Sequence, residues 1–195
     1  MSTTNLFVEI LVIGVGVAAW LLLIILCVFG TNWVEIDNSI SLLVFLPALS
    51  IIYVLGIVMD RLADTLFDLW WSTSLRSKFF PSKTDYYHAR KVVYTHEGRL
   101  SESLEYSRSR LRICRGWAVN SVMVLLTLNL FIWVRLPGDS PKLGFSLFSI
   151  ISLGLLAYGS WFAWRRLSVA EYHKVKEYSE FVREEEVRQI PDSGK

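Results

Sequence analysis

Four apolar runs, Ile10 to Phe29, Ser39 to Met59, Trp117 to Val134 and Leu143 to Trp164, contain no Asp, Glu, Lys or Arg. Each approaches the roughly 20 residues that an α-helix needs to cross about 30 Å of hydrocarbon. The pattern predicts an all-α polytopic membrane protein with four transmembrane helices, with Pro47 tolerated as a kink in the second. Beyond the second run, Leu62, Leu66, Leu69 and Trp70 continue at helical spacing as far as Phe79-Phe80, where Pro81 stops the helix. Ser101 reads as an N-cap, with Glu102 and Glu105 in the first turns of a third helix that runs unbroken through Trp117. Helices 2 and 3 therefore extend past the membrane as a hairpin. Residues Pro81 to Arg99 read as its tip, irregular apart from a short helix around Tyr86 to Tyr94. After the fourth run, Val169, Tyr172, Val175 and Val182 share one side of an amphipathic C-terminal helix, with Lys174, Glu177, Glu184 and Glu185 elsewhere. The chain thus divides into 1–59 (helices 1 and 2), 60–116 (the hairpin), 117–164 (helices 3 and 4) and 165–195 (the tail).

Charge orients this layout. Of the twenty Lys and Arg residues, eleven lie between Asp60 and Gly116 and seven from Arg165 onward, leaving only Arg135 and Lys142 elsewhere. By the positive-inside rule both termini and the hairpin are cytoplasmic, which places the chain in the inner (plasma) membrane as a multi-pass protein. The first run lacks a basic region before it and is too long for a signal peptide, so it stays as a span. The basic stretches are mixed with acids, seven in each. They fit contact with anionic lipid headgroups, and nucleic-acid binding is not indicated. Cys27 and Cys114 fall at opposite ends of the membrane, too far apart for a disulfide.

Asp60, Asp64 and Asp68 recur at i, i+4, i+8 beyond helix 2, and Arg108, Arg112 and Arg115 at i, i+4, i+7 before helix 3. Antiparallel helices crossing the boundary near Met59 and Gly116 set these stripes at matching heights, so an inter-helix ion ladder is expected, with Asp64 and Asp68 facing Arg108 and Arg112. Within the spans, Glu9 sits near the cytoplasmic end of helix 1. Asn120 and Asn129, nine residues apart, face opposite ways and read as interhelical glue rather than a channel lining. Tyr172, Val175 and Val182 form the tail's apolar seam, a surface on which a soluble partner would pack.

No HExxH, Cys/His cluster or GxSxG occurs, so no catalytic residue, cofactor or metal site is expected. Arg90 to His96 and Arg166 to His173 superficially resemble the Arg/His pair of HEPN-type ribonucleases. His96 lies in the least regular segment, and the chain does not read as an enzyme. In size and layout, four spans and a basic cytoplasmic hairpin, the chain resembles the small four-helix membrane subunits of bacterial antiphage defence systems, such as Kiwa-type membrane components and CRISPR-ancillary membrane proteins. That resemblance implies a homo-oligomer that recruits or responds to a soluble cytoplasmic protein. The expected function is a membrane scaffold of this kind, with an ion-conducting or depolarising oligomer as the alternative.

Overall fold

The computed structural model describes residues 3–31, 42–96 and 98–189, and their regular structure is helical throughout. In chain order these are α1 (Thr3–Phe29), α2 (Leu42–Phe67), a π-helical turn (Asp68–Ser72), α3 (Thr73–Arg76), α4 (Lys83–His96), α5 (Gly98–Arg135) and α6 (Asp139–Gln189). Four stretches, Leu6–Phe29, Leu46–Arg76, Glu105–Arg135 and Pro141–Arg183, are long and apolar enough to cross a membrane. The connection holding Trp33, an outer loop by the sequence reading, lies outside the described residues.

Contacts at the two ends fix the helix directions. Near one end Glu9 of α1 meets Arg112 of α5, and near the other Arg135 of α5 donates to the carbonyls of Cys27 and Val28 at 2.6–2.9 Å. α1 and α5 are therefore parallel; Gly14 meets Ile52 and Gly56 meets Ile10, so α2 runs antiparallel to α1, and the short turn after Arg135 makes α6 antiparallel to α5. The Arg135 guanidinium covers carbonyls that the end of α1 leaves without helical partners, while Gly30, at φ +81°, turns the chain away. α5 is the hub, packing on α1, α2, α4 and α6.

Inside a bilayer apolar surface gains nothing by leaving lipid, so close approach and hydrogen bonds must hold the helices together. The structure supplies both. The α-carbons of Gly14 and Gly56 lie against the carbonyls of Ile52 and Ile10, where any Cβ would collide with backbone. Asn120, fully buried, donates to the Ile13 carbonyl at 2.9 Å and accepts from Trp20 Nε1 at 3.4 Å, joining α5 to α1. On the opposite face of α5, Asn129 donates to Ser149 Oγ at 2.9 Å and accepts from Ser146, joining α5 to α6. Gly144, Gly154 and Gly159 of α6 instead face open space. Leu126, Phe148 and Leu155 are among the many large apolar side chains turned outward, as a lipid-facing surface requires.

Beyond the apolar runs the helices gather into a head, and here the structure departs from the sequence reading in four places. The extension of α2 is interrupted by the π turn, in which Thr73 Oγ1 bonds to the Asp68 carbonyl at 3.1 Å. One inserted residue rotates everything after it by about 100° around the axis, which swings Leu75 into the head core. The helix also ends early, at Arg76, where the amides of Phe79 and Phe80 fold back onto its carbonyl at 3.0 Å ahead of Pro81. The short helix expected around Tyr86 to Tyr94 is longer, the 14-residue α4, and the Ser82 hydroxyl just before it accepts from the Asp85 amide at 3.1 Å. α5 begins at Gly98, so Ser101 lies inside it rather than capping it.

The fourth departure concerns the tail. Its apolar seam is not a free surface: Tyr172, Val175 and Val182 are buried within the head, with Val175 fully so. Tyr172 and Val175 pack in one cluster with Phe80, Tyr86 and Val93 of the hairpin. An amphipathic stripe in sequence records only that something covers it. Here the chain's own α4 is laid along α6 and does so.

The α1–α2 contact is directly testable. Gly56→Val should lower the stability of the detergent-solubilised protein by about 2 kcal/mol, because the added branches meet backbone that cannot yield. Gly154→Val, introducing the same side chain where no atom lies within 4 Å, should leave thermal unfolding unchanged.

Candidate functional site

Two polar features lie where the spans enter the head. The first is a buried ion cluster on three helices. Arg112 of α5 places Nη1 3.3 Å from Glu9 Oε2 on α1 and Nε 3.5 Å from Asp60 Oδ2 on α2. Ser109, one turn earlier on α5, donates to the other oxygen of Glu9. Glu9 is 5% exposed and Asp60 9%, so neither can rely on water, and the single guanidinium serves both. Next along the same face, Arg115 pairs with Asp64, whose side chain is half exposed.

The ladder anticipated from spacing is thus displaced. Asp64 pairs with Arg115 rather than with Arg108 or Arg112, and Asp68 faces Arg76 of its own helical extension at 4.0 Å. The added carboxylate of Glu9 explains the shift for Arg112: it draws that guanidinium toward α1, leaving it level with Asp60. Beyond Asp64, the π turn begins at Asp68 and brings Arg76, which follows it, to that carboxylate. Arg108 lies on the wall of the cleft described next.

The second feature is that cleft, of about 1060 Å³, opening between the α2 extension, α4, α5 and α6. Its walls carry seven basic side chains (Arg61, Arg76, Lys83, Arg90, Arg108, Arg112 and Arg115) against three acidic ones (Asp64, Asp68 and Glu171). Tyr86, Tyr87 and Tyr172 supply aromatic surface. Tyr86 donates to Glu171 Oε1 at 3.3 Å and meets the rings of Phe80 and Tyr172 at 5.2 and 5.3 Å. Burial and the adjacent Glu171 carboxylate push the Tyr86 phenol well above the usual tyrosine range, so it remains a neutral donor. Arg90, singled out in sequence only for its spacing to His96, lies on the wall of this cleft; no group of three or more His, Cys, Asp or Glu able to hold a metal occurs among the described residues.

Sequence reasoning identified the Asp and Arg stripes but not their third partner, since Glu9 is about a hundred residues from Arg112 and only the fold brings them together. The cleft was hidden for the same reason. Its basic residues are scattered across four segments, and only the reversal of the chain at α4 faces them inward.

Two outcomes follow. Arg112→Leu leaves Glu9 and Asp60 buried without a counter-charge and should cost about 3–5 kcal/mol, whereas Arg115→Leu should cost far less because Asp64 can turn to water. The combined change Glu9→Gln, Asp60→Asn, Arg112→Met should recover most of the loss, as measured by thermal unfolding in detergent through a mutant cycle. In the case of Tyr86, the folded state holds the phenolic proton more tightly than the unfolded chain does. The head should therefore keep its full stability below the ordinary tyrosine value of about 10 and lose some as pH rises above it, and Tyr86→Phe should flatten that dependence.

No family model, curated protein or solved structure matches this chain.

Proposed function

We propose that the protein is a multi-pass scaffold of the inner membrane, with both termini cytoplasmic, whose head takes up a soluble cytoplasmic partner. One observation carries the reading: the spacious polar concavity lies in the head, while polar groups at membrane depth are consumed in helix–helix bonds. Just inside the ion cluster, Ile13, Val17 and Met59 form a buried apolar layer. Conduction through a single copy has no support from that arrangement. Because the tail seam is covered, the face offered to a partner is the outer side of α4, where Tyr87, His88 and Lys91 are exposed beside the cleft. The apolar outer surface with the open glycines of α6 supports assembly into a homo-oligomer within the lipid. The resemblance in layout extends the proposal to a role in antiphage defence.

A photo-crosslinking residue at Tyr87 should give a discrete adduct with a soluble protein in intact cells, and Lys83→Glu with Lys91→Glu should abolish it. With Cys27 and Cys114 replaced, a cysteine at Ser82 should resist membrane-impermeant thiol reagents until the cells are opened. Labelling from outside would reverse the topology, and ion flux from the purified protein in liposomes would replace the scaffold by a channel.

A further inference from the structure

We propose that the basic cleft of the head is a binding site for a phosphate-bearing ligand, gripped by Arg61, Lys83, Arg90 and Arg108 and flanked by the ring of Tyr87. The inference rests on the head being the functional part of the chain, and it adds what that part recognises. Two features point to an anion. The first is net charge. Seven bases face three acids in the cleft, and adding Glu9 and Asp60, which hold Arg112 from behind, still leaves the bases in excess. A cleft of one sign with low-dielectric walls concentrates counter-ions far more than the same charges spread over a surface.

The second feature is the origin of those bases. They come from the α2 extension, α3, α4 and α5, so they converge on one volume from several directions instead of forming a solvated stripe on one helix. Arg guanidinium groups match phosphate oxygens through paired N–H donors, and Lys83 adds a compact point charge.

Size and shape narrow the ligand. At about 1060 Å³ the cleft exceeds what inorganic phosphate needs and is of the order that encloses a small organic molecule, typically about 300–1,000 Å³. The exposed ring of Tyr87 offers a planar apolar face beside the charges, suited to stacking against an organic group that carries the phosphate. Two sources of such a ligand are open to a head at a membrane boundary: a soluble nucleotide and the headgroup of an anionic phospholipid.

The full-length protein in nanodiscs separates them. In discs of neutral phosphatidylcholine, ATP is titrated and binding read by thermophoresis; in parallel, discs containing phosphatidylglycerol are used and retained lipid is counted by native mass spectrometry. Binding in either arm should weaken about tenfold in Arg61→Gln and in Lys83→Gln, be kept by Lys83→Arg, and be unaffected by Lys174→Gln, which removes a charge from α6 outside the cleft. ATP binding identifies a soluble ligand, and selective retention of phosphatidylglycerol identifies the headgroup. Absence of binding in both arms, or binding equally strong in the Arg61 and Lys83 variants, overturns the proposal. Arg61, Lys83 and Lys174 are all exposed, so the substitutions leave the buried packing intact. Loss of the Tyr87 crosslink with phosphate binding preserved would count against the scaffold alone, and the converse against the ligand alone.

Discussion

Arg112 is placed between two carboxylates from two other helices, at the depth where the apolar runs give way to charged sequence, and most of the architecture depends on that position. A guanidinium and two carboxylates removed from water are each expensive, and the cost is met only while all three stay in contact. The contact therefore acts as a height gauge. α1 cannot slide along α5 without stranding Glu9, and α2 cannot slide without stranding Asp60. With three helices fixed at this level, the glycine contacts of α1 and α2 and the Asn120 bond fall into register below it, and the α2 extension, α4 and α6 can close into a head above it. The geometry is more a specification of register than a source of net stability, since apolar side chains of equal volume could replace the triad at little loss.

The polar residues at membrane depth obey a related constraint. Asn120 and Asn129 project from opposite faces of α5, and each finds its acceptor on a different neighbour, α1 in one case and α6 in the other. Such bonds contribute only about 0.6–2 kcal/mol each, but they select one rotational setting of the central helix among the many that lipid would tolerate. Used in this way, both Asn side chains are committed to holding helices together. Chemistry then has to be sought in the head, where aromatic packing of Phe67, Phe80, Tyr86, Trp164 and Tyr172 holds charged elements around an open volume.

What could be read from sequence followed the range of the interactions involved. The four spans are local properties of composition and length, and they were legible. The antiparallel stripes of Asp60, Asp64 and Arg112, Arg115 were legible as faces, because helical spacing fixes faces. Their register was not: it depends on Glu9, remote in sequence, and on the π turn at Asp68–Ser72, where no Gly or Pro announces an interruption. The seam of Tyr172, Val175 and Val182 is legible as apolar but its cover is not, because periodicity says that a face is covered without saying by what. The short helix around Tyr86 to Tyr94 is legible but not the full extent of α4, since its few apolar positions, Tyr86 and Val93 chief among them, are seven residues apart. That spacing is two helical turns, and it becomes persuasive only once the facing Tyr172 and Val175 are seen.

The continuity of α5 and α6 carries a mechanical consequence. Both helices pass from the membrane part into the head without a break, α6 over 51 residues, and both contribute to the walls of the basic cleft. An anion drawing Arg108 of α5 and Lys83 of α4 together would act on α5 directly and on α6 through α4, which packs along it, and a rigid helix transmits such a displacement along its length. The effect is limited by the difference in affinity between an open and a closed cleft; a ligand that bound both equally would shift nothing. The glycine face of α6 lies at the other end of that lever, with open space beside it where a second copy could approach. Binding in the head and packing between copies would then be reciprocal, each altering the other by the same factor, which is what a scaffold that responds to a soluble signal needs from a single continuous helix.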